Sequence, residues 1–459
     1  MKIRKFVVRV VLLLLLLVLV AGIRYAWRAF PIISGYGSKN MCSAVYLQHR
    51  NIKDILREDL GDFPLSLGTF TVNEKDSSVT GSVWGFAKRK TIYRKGIGCT
   101  IVNDFTENEI RSQHFVFPSP FTNNADTIAW PYGDKTTDTI SGNINKYELD
   151  KAVDYVMNET KEGTPAYTSA VLVVYDGSIV AEKYARGFDK HTVMLGWSMS
   201  KSLTAAMAGV LVKQGKLNID APAPVPEWTN TDKQKITLKN VLQQTTGLDF
   251  VEDYNNYSEV TNMLFNKGDM GAYTANLPLK YPPGTVFNYS SGNSNILSRI
   301  IRKTVGEQAY AAFPYQALFH KINAYSFLLE PDASGTYIGS SYSYATARDF
   351  ARFGLLYLNN GKWNGEQILP ENWLAQTITP ATADKRKHYG YQFWLNGLDK
   401  NEPAGKWYPD VPGDMFFCDG YGGQGIYIIP SKKLVVVRLG LHVIDENKFL
   451  KEVIAATNK

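Results

Sequence analysis

Six histidines and three cysteines are all that the 459 residues carry of the commonest soft metal ligands. No C-x-x-C pair and no histidine cluster occurs, so the sequence offers no zinc-type site, and no motif implies an organic cofactor. There is no internal repeat. A basic tract is missing too, although the net charge is +7. Lys2, Arg4, Lys5, Arg9, Arg24, Arg28 and Lys39 lie in the first 39 residues, which contain no acid. Without those seven the remainder is neutral, and a neutral body has no electrostatic claim on nucleic acid.

Long apolar runs are also scarce, with one exception. In "MKIRKFVVRVVLLLLLLVLVAGIRYAWRAF" the stretch from Phe6 to Ile23 is broken only by Arg9. Eighteen helical residues span about 27 Å, close to the hydrocarbon thickness of a bilayer. Arg9 can snorkel to the near interface, and Tyr25 and Trp27 suit the far one. No A-x-A-like cleavage site follows the run, so a retained signal anchor over residues 1–30 is expected, in the inner (cytoplasmic) membrane with the body outside the cytoplasm. Secretion after cleavage is the alternative. An exported body fits a disulfide between Cys42 and Cys99, leaving Cys418 over.

With 44% hydrophobic residues the chain can bury a large core in one or two domains. Residues 31–130 read as a β-rich region followed by a linker: "GTFTVNEKDSSVTGSVWGFAKRKTIYRKGIGCTIV" alternates β-formers with turn residues, and "FPSPFTNNADTIAWPYGDKTTD" is rich in loop formers. A second domain is expected over 144–459. "NKYELDKAVDYVMNET" is a helix. "SAVLVVYDGSIVAEKYARG" is a hairpin turning at Asp176-Gly177, and "GIYIIPSKKLVVVRLG" is another around Pro430 to Lys433. Helices are predicted over 201–214, 236–245, 293–305 and 346–359. Strands at both ends with helices between predict one sheet built from both termini of this domain, an α+β arrangement.

Three stretches could carry chemistry. Ser198-Met199-Ser200-Lys201 is the sole S-x-x-K in the chain and sits where an apolar helix begins. Serine is a common helix cap, but a lysine at i+3 faces the same hydroxyl. A serine becomes a useful nucleophile when a neighbouring base takes its proton, and a desolvated lysine can be neutral near pH 7. The second stretch is Tyr289-Ser290-Ser291, a Y-x-S element between a Pro-Pro-Gly turn and an apolar helix. The third is "FFCDGYGGQGIYIIP", whose glycines allow close backbone approach to a ligand; Tyr421 and Gln424 could supply donors there.

In this order, and with "ITLKNVLQQTTGLDF", "YPPGTVFNYSSGNSNIL", "GSSYSYATARDFARFGLLYLNNGKWNGEQILP" and "YGYQFWL" between and around them, these motifs resemble the serine β-lactamase-related hydrolase family. That family takes in class C β-lactamases, D-alanyl-D-alanine carboxypeptidases, esterases and 6-aminohexanoate-dimer hydrolases, and the likeness is greatest to the last branch. It covers roughly residues 150–455. The resemblance implies a β-lactamase/DD-peptidase-like antiparallel sheet flanked by helices, with a helical subdomain. It implies acylation of Ser198, a shared proton network through Lys201, and activation of Ser198 and later of water by Tyr289. The oxyanion hole would be the backbone N–H groups of Ser198 and Tyr421, and Gly423, Gln424, Ser291 and Asp419 would lie on the substrate side.

Cys418-Asp419-Gly420 stands where relatives that bind a substrate carboxylate carry Lys-Thr-Gly or His-Thr-Gly. The cation is gone and an acid stands nearby, which disfavours β-lactams and D-Ala-terminated peptides and favours a small neutral or amine-bearing amide or ester. Three other readings stay open: a penicillin-binding enzyme of the same family, a catalytically weak binding module on the same fold, and an α/β-hydrolase. The last rests on Gly196-Trp197-Ser198-Met199-Ser200, which nearly spells G-x-S-x-G, with His442 to close a triad.

Overall fold

Alternation in the strand segments reports which faces are buried, and here both are. The computed structural model describes residues 2–119, 124–136, 144–161, 163–397 and 405–457; parts of the expected linker lie outside these.

Helix α1 runs from Lys2 to Tyr46 and does not stop near residue 30. Residues 3–25 are exposed, whereas Ile33–Gly35 and Gly37–Ala44 are buried. The sequence reading placed residues 31–46 in the β-rich region, because "SGYGSKN" is a poor helix former. Packing overrides that propensity. A Cβ on Gly37 would lie 2.0 Å from the Phe70 ring, and one on Gly35 would lie 3.0 Å from Phe265, so small residues let α1 wedge between its neighbours. One neighbour is an antiparallel sheet, β1 (Gly68–Asn73), β2 (Ser78–Val83), β3 (Phe86–Arg94) and β4 (Gly98–Ile101). Inside this layer Cys42 and Cys99 meet as free, buried thiols rather than as the expected disulfide. Burial and the contact with Cys42 push the Cys99 thiol well above its usual pKa, which favours the protonated form. Lys39 on α1 forms a fully buried ion pair with Glu330 of the large domain.

Helix α2 (Lys146–Met157) leads into the hairpin β5 (Ala170–Tyr175) and β6 (Ser178–Tyr184). Helix α3 (Met199–Lys213) follows, with Met199 through Leu211 all buried. Helices α4 (Leu238–Leu242), α5 (Glu259–Asn266) and α6 (Ser291–Val305) belong to the helical part, and α7 (Ala347–Leu358) returns to the sheet. The chain closes with β7 (Trp394–Leu395), β8 (Phe416–Gly420), β9 (Gln424–Ile429), β10 (Leu434–Leu439) and α8 (Glu446–Ala456).

The main sheet has the order β7-β8-β9-β10-β5-β6, antiparallel throughout. Both termini of the large domain build it, as predicted. Leu172, Val174, Ile426 and Val435 face the cluster that holds α3 and α7. Val171, Val173 and Val436 face the other way, onto Leu149, Phe449 and Val453 of α2 and α8. Coverage of both faces explains why these strands read as unbroken apolar runs rather than as alternation. Helix α3 therefore points its N-terminus at the edge formed by the β8–β9 turn.

Candidate active site

Ser198 sits at the N-cap of α3, yet its side chain caps nothing. Its Oγ instead accepts a hydrogen bond from Lys201 Nζ at 2.9 Å, the contact that the i+3 spacing predicts. The residue before it, Trp197, holds φ at +47°, an uncommon conformation for a bulky side chain and one that stores strain. Surrounding groups fix it there. The Trp197 ring packs on Tyr36, Tyr342 and Tyr421, with centroids 6.1, 5.5 and 5.6 Å away. Ser200 Oγ donates to the Trp197 carbonyl and meets Ser343 Oγ, each at 2.7 Å.

Lys201 is 1% exposed and donates also to the Ser340 carbonyl at 3.2 Å. Burial pushes its pKa down to about 8, against the opposing pull of Glu252 and Asp419. The Tyr289 ring lies 4.8 Å from Lys201 Nζ and stacks on Trp394 at 5.1 Å. Desolvation first, then Tyr389, Glu252 and Tyr254, raise the Tyr289 phenol well above its usual pKa, although its contact with Ser198 works the other way. Of the two groups beside Ser198, Lys201 is the more easily deprotonated, and Tyr289 is held in its protonated, O–H-donating form.

The third motif is the β8–β9 turn. Gly420 must be glycine, because a Cβ there would come within 2.5 Å of the Gly196 carbonyl on the nucleophile turn. The turn is held from below by Arg438 near the end of β10. Its Nη1 donates to the Gly422 and Gly423 carbonyls at 2.8 and 3.2 Å, and its Nε and Nη2 bind Thr168 Oγ1. Tyr421, 62% exposed, Asp419 and Gln424 line the same cavity as Ser198 and Tyr289. Burial and Glu446 push the Asp419 pKa up to about 7, while Lys201 opposes them.

Two other expected substrate-side residues are engaged by neighbouring groups. Gly423 braces on Arg438 and is not among the cavity's lining residues. Ser291 donates through N and Oγ to the Glu252 carboxylate at 2.8 and 2.5 Å and is likewise absent from the lining. Sequence reasoning missed both Glu252 and Arg438. A charge inside "LVVVRL" was a signal for Arg438, since a buried arginine needs acceptors; Glu252 in a loop gave none. His442 lines the wide cavity too, but Lys201 serves the Ser198 hydroxyl and the sheet is antiparallel, so the α/β-hydrolase reading falls.

An antiparallel sheet, a buried helix opening on Ser-x-x-Lys and a tyrosine against the lysine are the arrangement of a β-lactamase-related serine hydrolase. The chain belongs to the beta-lactamase family, whose profile matches residues 159–440. It is 25% identical over 304 residues to the 6-aminohexanoate-dimer hydrolase of Paenarthrobacter ureafaciens, covering 59% of this chain and 72% of that protein. Among solved structures, a Bacillus anthracis protein assigned as a 6-aminohexanoate-dimer hydrolase superposes with a TM-score of 0.52 at 22% identity, covering 75% of this chain and 87% of its own. A family VIII carboxylesterase gives 0.52 at 14% identity, over 70% of this chain and 98% of its own.

Proposed function

We propose that this enzyme is a membrane-anchored serine amidase or esterase working outside the cytoplasm, with Ser198 as the acylated nucleophile. The observation that carries the reading is the 2.9 Å contact between Ser198 Oγ and a lysine that burial makes partly neutral. Lys201 takes the Ser198 proton as Oγ attacks the substrate carbonyl. The backbone N–H groups of Ser198 and Tyr421 hold the developing oxyanion. The proton passes through Lys201 and the Tyr289 hydroxyl to the departing alcohol or amine. Water, deprotonated by the same pair, then releases the acid and restores Ser198. Cys418 stands where carboxylate-binding relatives carry a cation, and Asp419 beside it turns the pocket away from anionic substrates. The apolar stretch Phe6–Ile23, fully exposed along α1, supports anchoring by that helix.

The test is labelling of the full chain with a fluorophosphonate probe, beside Ser198→Ala and a screen of esters and amides. Labelling and turnover that both vanish in Ser198→Ala are expected. Labelling that persists in the variant refutes the assignment of the nucleophile. Labelling without turnover favours a binding module on this fold.

A further inference from the structure

The cavity beside Ser198 is far larger than a small amide or ester requires. Its volume is about 1310 Å³, beyond the roughly 300–1,000 Å³ usual for small-molecule sites. It extends along α1, whose Tyr25, Ala26, Ala29, Ile32, Ile33 and Tyr36 line it. Those positions recur every three or four residues and so form one face of the helix. Leu65, Phe188 and Leu264 also line the cavity, and a charged part of its wall is formed by Arg50, Asp54, Glu58 and Asp59. At its inner end Tyr36 stacks on Trp197, the neighbour of Ser198. From Tyr25 to Tyr36 the helix rises about 16 Å.

The outer end lies where α1 leaves its apolar run. Tyr25 comes two residues after Ile23, about 3 Å along the axis, and Phe30 about 10 Å, whereas the headgroup layer is roughly 5–7 Å deep on each side. Other exposed aromatic side chains stand beside this stretch of the helix or the cavity it lines. Phe30 meets Trp84 at 5.3 Å, and Trp84 and Phe86, each 67% exposed, project from the turn between β2 and β3. Phe63, which also lines the cavity, is 81% exposed. Arg28 lies over the Tyr257 ring, another lining residue. Exposed aromatic groups with an arginine are what a membrane–water interface selects.

We propose that this arm of the cavity is an acyl-chain channel, and that the substrates are long-chain esters or amides resident in the bilayer. The proposal rests on the acyl-enzyme and anchor readings above. The alkyl chain lies along α1 with its carbonyl at Ser198. The Ser198 Oγ–carbonyl bond forms, the ester C–O or amide C–N bond breaks, and the Ser198 proton leaves with the alcohol or amine. Water then releases the fatty acid and returns a proton to Ser198.

The experiment compares kcat/KM for p-nitrophenyl acetate and p-nitrophenyl dodecanoate, using the full chain in phosphatidylcholine vesicles. Each methylene removed from water contributes up to roughly fourfold, and partition into the vesicle supplies part of that gain. A dodecanoyl-to-acetyl ratio of about tenfold or more is therefore expected, and the part owed to the channel is what Ala29→Trp removes. Ala29→Trp, which fills the channel, lowers that ratio by about tenfold or more. A ratio near one in the unmutated chain, with acetate turnover still lost in Ser198→Ala, overturns the channel and leaves the reaction standing. Acetate turnover that survives Ser198→Ala overturns the underlying reading instead. The unmutated chain gives a second readout: a dodecyl fluorophosphonate labels it faster than the ethyl analogue by the same factor, and equal rates overturn the channel.

Discussion

Whether Lys201 is the base can be decided by a pH profile. With its pKa pushed down to about 8, the unprotonated fraction is about one-tenth at pH 7 and about nine-tenths at pH 9. The acylation rate, read as kcat/KM on an ester, therefore rises about tenfold over that interval and levels off, with an inflection near pH 8. An unshifted lysine would give about a hundredfold rise with no plateau. The shift also has a stability counterpart. The folded-state pKa lies below the unfolded value, so the unfolded chain binds more protons between about pH 8 and 10.5 and stability rises with pH across that window. Below pH 8 the full penalty applies, about 3 kcal/mol at most. Lys201→Met should therefore raise the unfolding midpoint at pH 7, lose that gain by about pH 10.5, and abolish turnover. Asp419→Asn removes a charge that holds the proton on Lys201, so the inflection should move to lower pH. A flat profile, or an inflection that ignores Asp419→Asn, refutes the role given to Lys201.

Glu330→Gln leaves the buried Lys39 charge without its partner and should cost about 3–5 kcal/mol in denaturant unfolding, whereas replacing both partners by Lys39→Met and Glu330→Leu should restore most of it. Gly420→Ala forces a Cβ to within 2.5 Å of the Gly196 carbonyl; a displacement of 1 Å at the nucleophile turn lowers kcat by about a hundredfold, with circular dichroism unchanged. Arg438→Met frees the Gly422 and Gly423 carbonyls and should lower both thermal stability and turnover, each lost charged hydrogen bond costing about 1.5–3 kcal/mol.

The large domain was legible because its signals are local. The hairpin at Asp176-Gly177, the helix behind Ser198 and the tyrosine after Pro-Pro-Gly are each encoded within about twenty residues, and each stands where the pattern put it. What escaped is non-local. Residues 31–46 look like turn-rich sequence, and only the ring of Phe70 and the chain at Phe265 explain why glycines there lie in a helix. The contact between Ser291 and Glu252 joins residues 39 positions apart, and nothing in either neighbourhood announces it. That contact was missed because the spacing of Ser291 from Tyr289 fits a substrate contact equally well.

On the anchor reading proposed above, α1 joins the bilayer to the protein core as one helix, with Pro31 inside it and Lys39 locked to Glu330, and so fixes both a height and a rotational phase. Each residue inserted between Ile23 and Tyr25 would lift the catalytic body by about 1.5 Å and turn it by about 100° relative to the anchor. Two inserted residues would leave the Ala29 face about 200° out of phase with the span. Seven would restore it to within about 20°, but about 10 Å farther from the lipid. Activity on a bilayer substrate would then oscillate with insertion length as it declines, while hydrolysis of a water-soluble ester would stay level throughout the series.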